Sequence, residues 1–504
     1  MDYTILEFIA SGERSSCGYC KNESGQRTPD ASVKENAEGG EASGDAPETP
    51  TESEDTSFTS ALTIFSISHD DLMRFEQAGW STALVTGGAW AHSLSVDDYG
   101  RLLDMGWRRS GRYLYKPHNP VTCCPQFTIR LDVTKFKMSR SQKRAMRQMN
   151  EYLKTGKRPA CGIKEEDAET EKSESTSAPP KRVDNSEPPH KRSKDEDRPV
   201  LTKKEIRNKR FEQKCRDRDL DPDVVRAERR AKDAARQRTI KSYIDEARPE
   251  WKHKLELEVV AMESDEFAER DNESFALYKK YQTTIHKDET CRLAGYRKFL
   301  CDSPLKVEKR NGIDLGSYHL RFLLDGKLIA VSVMDILPDC LSAKYMFYDP
   351  DYSFLSIGTY TALREIEYTQ QLEHVSSRLK YYYMGYYIHS CPKMRYKAKF
   401  RPSDLLCDNS FKWLEFDACK VLLDNSPNPN GFAIFRPDEP RPDSTPLGEI
   451  RVFSKGVILS FDTALTQYPE VAEDQGFIQK VRDLSYQVGP NMEEVVFYFS
   501  QLNT

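Results

Sequence analysis

The sequence predicts a mixed α+β protein with a smaller, Cys-rich N-terminal domain and a larger C-terminal domain, joined by a disordered and helical linker. Three observations predict it. Composition changes abruptly along the chain, strand and helix periodicities alternate from residue 246 onward, and four of the 12 cysteines fall in two pairs within the first 158 residues. The 504 residues carry 75 Lys+Arg against 80 Asp+Glu, a formal charge of −5, with 31% charged and 38% hydrophobic residues. A compact domain uses less charge and more apolar surface, so much of the chain is expected to lie outside any core. Near neutrality excludes a uniformly basic coat but leaves room for local basic patches.

Residues 1–158 form the N-terminal block, interrupted by an insert at 21–88 that reads as largely disordered. Residues 21–56 are rich in Glu, Ser, Gly, Thr and Pro and hold almost no large apolar side chain, too little to offset chain entropy. Inside the insert, Ser66–Trp80 repeats Ser93–Trp107 at constant offset, and both copies read as a capped helix ending at Gly. Only the second copy continues into the basic, aromatic RRSGRYLYKP, so it is expected to be the working one. A basic segment follows, Lys135–Arg158, with Glu151 as its single acid. Ser139 and Gln142 have capping-box spacing; Met146, Met149 and Leu153 share one face, and Arg140, Lys143, Arg144 and Arg147 another.

Residues 159–245 read as linker: disordered through about residue 200, then a charged, solvated helix. From 246 to 504 the chain is globular again. Leu255–Val260 alternates as a strand, and Phe275, Tyr278, Tyr281/Gln282 and Ile285 have helical spacing. HLRFLL and KLIAVSVMDIL flank Asp325-Gly326, a strong hairpin signal. Lys344–Tyr348 reads as a strand, DPDYSFLSIG as a loop, TYTALREIEYTQQL as a helix and LKYYYMGYYI as a buried strand.

No stretch reaches the roughly 18 consecutive apolar residues of a membrane helix, so no membrane partner is expected. The acidic, charged start MDYTILEFIASGER lacks the pattern of a signal peptide. Reduced thiols and a cytoplasmic or nuclear location are the default. Lys181-Arg182 with Lys191-Arg192 fits a split import signal, and equally a solubilising linker charge.

Four groups of residues invite chemistry. Cys17/Cys20 and Cys123/Cys124 offer four thiolates for a zinc ion or an iron–sulfur cluster; spacing alone leaves open two unrelated pairs of buried thiols. Arg108, Arg109, Arg112 and Lys116, interleaved with Tyr113 and Tyr115, join the basic segment in suiting phosphates and unpaired bases; a solvated basic helix face is the alternative, and the concentration of positive charge in an otherwise acidic chain favours RNA. Ser356 and Gly358 lie where a helix N-terminus exposes N–H groups to an anion, behind Asp349, Asp351 and Tyr352 at a strand end. Tyr381–Leu406 has more tyrosines than a core needs; alternation puts Tyr381 and Tyr383 on one face, with Tyr386 as a further candidate for it.

These motifs carry a resemblance. CGYC, WAHS, GWRRSGRYLYKP and TCCPQFTIR resemble the N-terminal domain of eukaryotic arginyl-tRNA–protein transferases. GSYH, DILP, YDPDYSFLSIGTYTALREI and YYYMGYYIHSCPKMRYK resemble their C-terminal domain, which is GNAT-like. The resemblance covers roughly residues 1–20, 89–158 and 251–415. It departs from the family pattern where the insert separates CGYC from WAHS.

The resemblance implies transfer of arginine from arginyl-tRNA to the N-terminal amine of proteins that begin with Asp, Glu or oxidised Cys, as a mark for N-degron proteolysis. It implies an iron–sulfur cluster on Cys17, Cys20, Cys123 and Cys124, with zinc as the alternative occupant. The ester donor is already activated, so neither ATP nor CoA is expected. Asp349 and Asp351 are then candidates for the arginyl group, Tyr318, His319 and Tyr352 for proton transfer and orientation, and Lys393, Arg395 and Arg401 for the acceptor's acid. Ser356, Gly358 and Tyr383 would complete the substrate site, with Arg108, Arg109, Lys116, Arg140, Lys143, Arg144 and Arg147 on the tRNA. The rival readings are an RNA-binding redox adaptor without catalysis, and transfer from another aminoacyl-tRNA.

Overall fold

Strand pairing decides how the chain is divided. The computed structural model describes residues 3–17, 19, 83–158, 203–235, 238–490 and 494–503. The Ser66–Trp80 repeat, most of the insert and residues 159–202 lie outside the described residues. Two compact units emerge, one made of Met1–Lys157 with Ile240–Thr504 and the other of Arg158–Thr239.

The first unit begins with β1 (Thr4–Ser16), β2 (Ala83–Ser93), α1 (Val96–Asp104), β3 (Arg108–Ser110), β4 (Tyr113–Pro117), β5 (Phe127–Asp132) and α2 (Arg140–Thr155). It resumes with β6 (Leu255–Ala261), α3 (Asp265–Tyr281), β7 (Glu308–Arg310), β8 (Ile313–Leu324), β9 (Lys327–Ile336), β10 (Cys340–Tyr348), α4 (Ile357–Val375) and β11 (Tyr381–Tyr387). It closes with β12 (Ser403–Leu406), β13 (Trp413–Glu415), β14 (Arg451–Ser454), β15 (Val457–Ser460) and β16 (Val495–Tyr498).

The strands form two sheets, one ordered β15-β14-β16-β1-β2-β4-β3 and the other β13-β12-β5-β11-β10-β9-β8-β6, with β7 on β8. β1 runs parallel to β16, with Thr4 opposite Val495. β5 lies between β11 and β12, with Arg130 opposite Tyr383 and Ile129 opposite Leu405. The expected division into a 1–158 domain and a 246–504 domain is therefore replaced by one interleaved unit. Unpaired strand edges must be covered, and here each end of the chain covers edges of the other. The second unit holds two helices, Lys203–Arg216 and Pro222–Ala235, in the stretch where mixed charge predicted a solvated helix.

Local signals act as read. Asp325 (φ 50°) and Gly326 (φ 82°) turn the β8–β9 hairpin with both residues at positive φ. Ser139 and Gln142 close a capping box on α2, whose Met146, Met149 and Leu153 are buried. Along β9, Ala330 and Met334 enter the core shared with α4, while Val331 and Val333 enter a second cluster with Leu277 and Tyr278 of α3. The larger sheet is thus covered on both faces, which explains its long apolar run. Among the described residues no helix is long and apolar enough to cross a membrane.

Candidate active site

β10 and β11 pair at Cys340–Tyr381, Leu341–Tyr382 and Ser342–Tyr383 and no further. Both strands run on, to Tyr348 and Tyr387, so they part and leave a crevice between their ends. β11 stays on β5 through a bulge between Tyr383 and Tyr386, with Gly385 at φ 68°. The chain leaving β10 makes a 3-10 turn, Pro350–Leu355, passes Ser356 in the left-handed region at φ 54° and starts α4. Among the described residues no side chain caps that helix. Gly358 lies against β10, where a Cβ would come within 3.2 Å of Met346 Cε.

The two aspartates of this loop are tied down. Asp349 is buried; its carboxylate accepts from Lys280 Nζ at 2.5 Å, Lys327 Nζ at 3.0 Å and the Asp351 N–H. Burial alone would raise its pKa, but the hydrogen bonds from Lys280 and Lys327 outweigh it and hold the carboxyl below its usual value. Asp351 is exposed and accepts from Lys280 at 2.7 Å. Tyr352 is half-buried, with Lys327 Nζ 5.2 Å from its ring centre.

The basic helix α2 packs on this loop. Gln148 Nε2 donates to the Phe354 carbonyl, and the Tyr152 ring meets Phe354 at 5.4 Å and Tyr352 at 6.5 Å. Arg140, Arg144 and Arg147 are exposed and Lys143 half-buried, as phosphate contacts require. Arg108, Arg109 and Lys116 are not so placed: all three are buried. Arg109 lies in β3 and forks onto Asp335 of β9, Nε to Oδ2 at 2.8 Å and Nη2 to Oδ1 at 2.5 Å, joining the two sheets. Lys116 donates to the Gln487 carbonyl at 3.2 Å, and burial pulls its pKa down to about 7. These three are basic but buried, so they do not join the exposed basic face expected of them, which among the expected residues is left to α2.

The GSYH pair lies apart from the crevice, on β8, two strands from β10. His319 is buried, contacts the Leu300 carbonyl through Nε2 at 3.1 Å and packs edge-on to Phe267; burial lowers its pKa to about 3. Tyr318 is buried too and donates to the Asp314 carbonyl at 2.8 Å. Both polar tips are taken up by backbone carbonyls, two strands away from where β10 and β11 part, so the expected proton-transfer role for this pair is not supported. Tyr383 is likewise buried, its hydroxyl on Asp104. Tyr386 donates to the Gly106 carbonyl at 2.8 Å, and the bulge returns it to the Tyr383 side, so that both rings face Arg108.

Cys17, Cys123 and Cys124 place their sulfurs within 4.8 Å of one another, and Cys20 lies outside the described residues. Three converging thiols, two of them buried, suit a soft metal. Cys391 of the motif after β11 packs in the same cluster. Lys393 and Arg395 are exposed beside it, while Arg401 pairs with Asp417 at 2.8 Å and lies over Phe416.

Two buried groups escaped the motif reading. Glu365 on α4 accepts from the Tyr382 hydroxyl at 2.5 Å, and burial raises its pKa. Lys397 donates to the Tyr386 carbonyl at 2.7 Å. Sequence marks neither, since each stands among charges on a segment that reads as amphipathic.

The family model for the N terminus of arginine-tRNA-protein transferase matches residues 15–144, and that for its C terminus matches residues 273–407. Arginyl-tRNA--protein transferase 1 of Drosophila melanogaster is 38% identical over 387 residues, covering 67% of this chain and 79% of that protein. The chain belongs to the arginyl-tRNA–protein transferase family. It is therefore an aminoacyltransferase. Arginyl-tRNA--protein transferase 2 of Arabidopsis thaliana is 30% identical over 447 residues, 68% of this chain and 73% of that one. An aspartate/glutamate leucyltransferase of Chromobacterium violaceum is 39% identical over 141 residues, covering 27% of this chain and 51% of that one. A solved C-terminal domain of a putative lysylphosphatidylglycerol synthetase from Agrobacterium fabrum aligns at 14% identity over 32% of this chain and 48% of that one; its TM-score of 0.19 is too low to bear on the fold.

Proposed function

We propose that this chain transfers arginine from arginyl-tRNA to the N-terminal amine of proteins beginning with Asp, Glu or oxidised Cys, marking them for N-degron proteolysis. The observation that carries the reading is the packing of the basic helix α2 against the loop that opens α4, beside the parted ends of β10 and β11. A tRNA lying along Arg140, Arg144 and Arg147 would bring its aminoacylated end to that crevice.

The reaction is aminolysis of an ester. The acceptor's ammonium gives one proton to solvent, the amine attacks the ester carbonyl, and the C–O bond to tRNA breaks as the nitrogen's second proton passes to the leaving oxygen, giving the amide and the free tRNA hydroxyl. Holding amine and carbonyl at about 3–3.5 Å supplies much of the rate. The uncapped N–H groups of the first turn of α4 suit the developing oxyanion. Asp351, exposed on the loop and paired with Lys280, is the candidate for the cationic arginyl group, which would have to displace or share that lysine. Tyr352 flanks the same opening. A GNAT-like architecture is consistent with a parallel strand pair, joined through a helix, that parts at its ends.

The thiol site is read as the seat of an iron–sulfur cluster, with zinc as the alternative; bound there, it would cross-link β1 to the segment before β5. A cytoplasmic location goes with reduced thiols, and the linker's basic pairs would add entry to the nucleus.

Incubating the full chain with labelled arginyl-tRNA and a peptide starting with Asp tests the proposal. Label in the peptide supports it; retention of RNA without transfer would make the chain a binding protein. The leucyltransferase likeness motivates a second arm with leucyl-tRNA, in which faster leucine transfer would replace the donor.

A further inference from the structure

Arg108 and its neighbour Arg109 use their guanidinium edges differently. In Arg109 the Nε/Nη2 edge is closed by the two oxygens of Asp335. In Arg108, Nη1 donates to the Trp107 carbonyl at 2.6 Å and contacts the Leu103 carbonyl at 3.4 Å. Its Nε and Nη2 are buried and have no hydrogen-bond partner among the described residues. The residue is 6% exposed, and its guanidinium carbon lies 5.1 Å from the Tyr386 ring centre and 5.8 Å from that of Tyr383.

A second cation stands beside it. Lys397 is 9% exposed; its amine donates to the Tyr386 carbonyl and is close enough to Arg108 for the two charges to repel. Among the described residues neither cation makes an ion pair with a carboxylate. The acid within electrostatic reach of Arg108 is Asp104, which accepts the Tyr383 hydroxyl and whose pKa burial raises. Two cations buried together without an ion-paired carboxylate are costly; the negative groups within reach are Asp104 for Arg108 and the Cys391 thiol for Lys397. Burial, with the Arg108 charge second, pulls the Lys397 amine down to about 7. Tyr386 holds both groups, its ring under Arg108 and its carbonyl on Lys397, at the point where β11 has parted from β10.

We propose that Arg108 and Lys397 bind the acidic side chain of the acceptor's first residue. The unpaired Nε/Nη2 edge matches two coplanar oxygens of one acid group, the geometry that Asp335 already shows on Arg109. The aromatic walls suit a compact carboxylate or sulfur oxyacid rather than an RNA backbone. This rests on the reading of the chain as a transferase for acidic N-termini, and replaces Lys393, Arg395 and Arg401 as the acid's partners.

The test measures transfer from arginyl-tRNA to peptides that differ only in starting with Asp or Asn, using the full chain and its Arg108→Lys, Lys397→Met and Lys397→Arg variants. No transfer to the Asp peptide by the wild-type chain would sink the underlying reading, whatever the variants do. With wild-type transfer established, the expected result is a KM for the Asp peptide raised at least tenfold in Lys397→Met and Arg108→Lys, with the KM for arginyl-tRNA unchanged. Lys397→Arg should retain most of the affinity. Lys397→Met removes an uncompensated buried charge and should melt no lower than wild type, so this arm does not depend on whether Arg108→Lys folds. An unchanged peptide KM in Lys397→Met overturns the proposal. So does a change confined to the arginyl-tRNA KM, or one confined to bound metal, which would make the cations counter-charges of the thiol site.

Discussion

Lys280 of α3 and Asp349, at the end of β10, meet at 2.5 Å, and through this contact a helix on one face of the sheet holds the loop that starts α4 on the other. Lys280 also reaches Asp351 at 2.7 Å. Replacing Asp349 by Asn should leave Lys280 and Lys327 without their shared acid and loosen the turn. We expect at least tenfold slower arginine transfer and a loss of about 1–3 kcal/mol in stability, read by single-turnover assay and urea unfolding. The folded pKa of Asp349 is lowered, so its stabilisation is complete above the unfolded value of 3.8 and is lost as pH falls through the lower, folded value. Asp349→Asn should flatten the acid limb of the wild-type stability curve; identical limbs would show the carboxylate is not held by its lysines.

His319 should behave as a core residue. Its pKa falls from 6.5 to about 3 on burial. Stability owed to the neutral ring is complete above 6.5 and declines as pH drops toward 3. His319→Gln keeps a donor for the Leu300 carbonyl and should remove part of that decline while transfer at neutral pH stays within about threefold of wild type. A hundredfold loss of transfer at unchanged melting temperature would return the imidazole to catalysis.

Arg109 and Asp335 make the two sheets depend on each other. Arg109→Met leaves a buried carboxylate without its partner and should cost about 3–5 kcal/mol. Adding Asp335→Leu should recover much of this. The same logic predicts that residues 246–504 expressed alone are insoluble or unfolded, since β5 and β1 would be missing from their sheets. A cooperative thermal transition of that fragment would contradict the interleaved architecture.

Local chemistry was legible in the sequence and long-range pairing was not. The Asp325-Gly326 turn, the Ser139 capping box and the Cys-x-x-Cys and Cys-Cys pairs announce themselves because their spacing is set by backbone geometry within a few residues. Nothing in TCCPQFTIR says that Phe127–Asp132 will lie between β11 and β12, because any apolar strand edge accepts another. The same blindness misplaced Arg108 and Arg109. Their charge is plain in the sequence, but that Arg109 would find Asp335, 226 positions later, is a fact of pairing. Tyr386 reached the Tyr383 face through a bulge, which strict alternation does not foresee.

The thiols should act together. Cys123→Ser and Cys124→Ser should each abolish most metal uptake, whereas Cys419→Ser, a buried thiol outside the cluster, should not. Metal content and the absorption spectrum of anaerobically purified protein decide between occupants. A charge-transfer band in the visible identifies iron and sulfide, and stoichiometric zinc without such a band identifies zinc. Full metal binding by both serine variants would remove the cysteine pair from the ligand set.

The exposed face of α2 carries the most direct test of tRNA binding. Arg144 and Arg147 project to solvent while Met146 and Met149 anchor the helix, so reversing either charge should leave the fold intact. If each meets one phosphate, Arg144→Glu and Arg147→Glu should raise the KM for arginyl-tRNA several-fold and leave the KM for the acceptor peptide alone. The dependence of binding on salt should also become shallower, by about 0.7–0.9 in the log–log slope for each phosphate no longer neutralised. Charge reversal at Lys135, exposed and already paired with Asp132 at 3.0 Å, is the control for general electrostatics. An equal effect at all three positions would mean that α2 contributes only to the protein's overall field and does not touch the RNA.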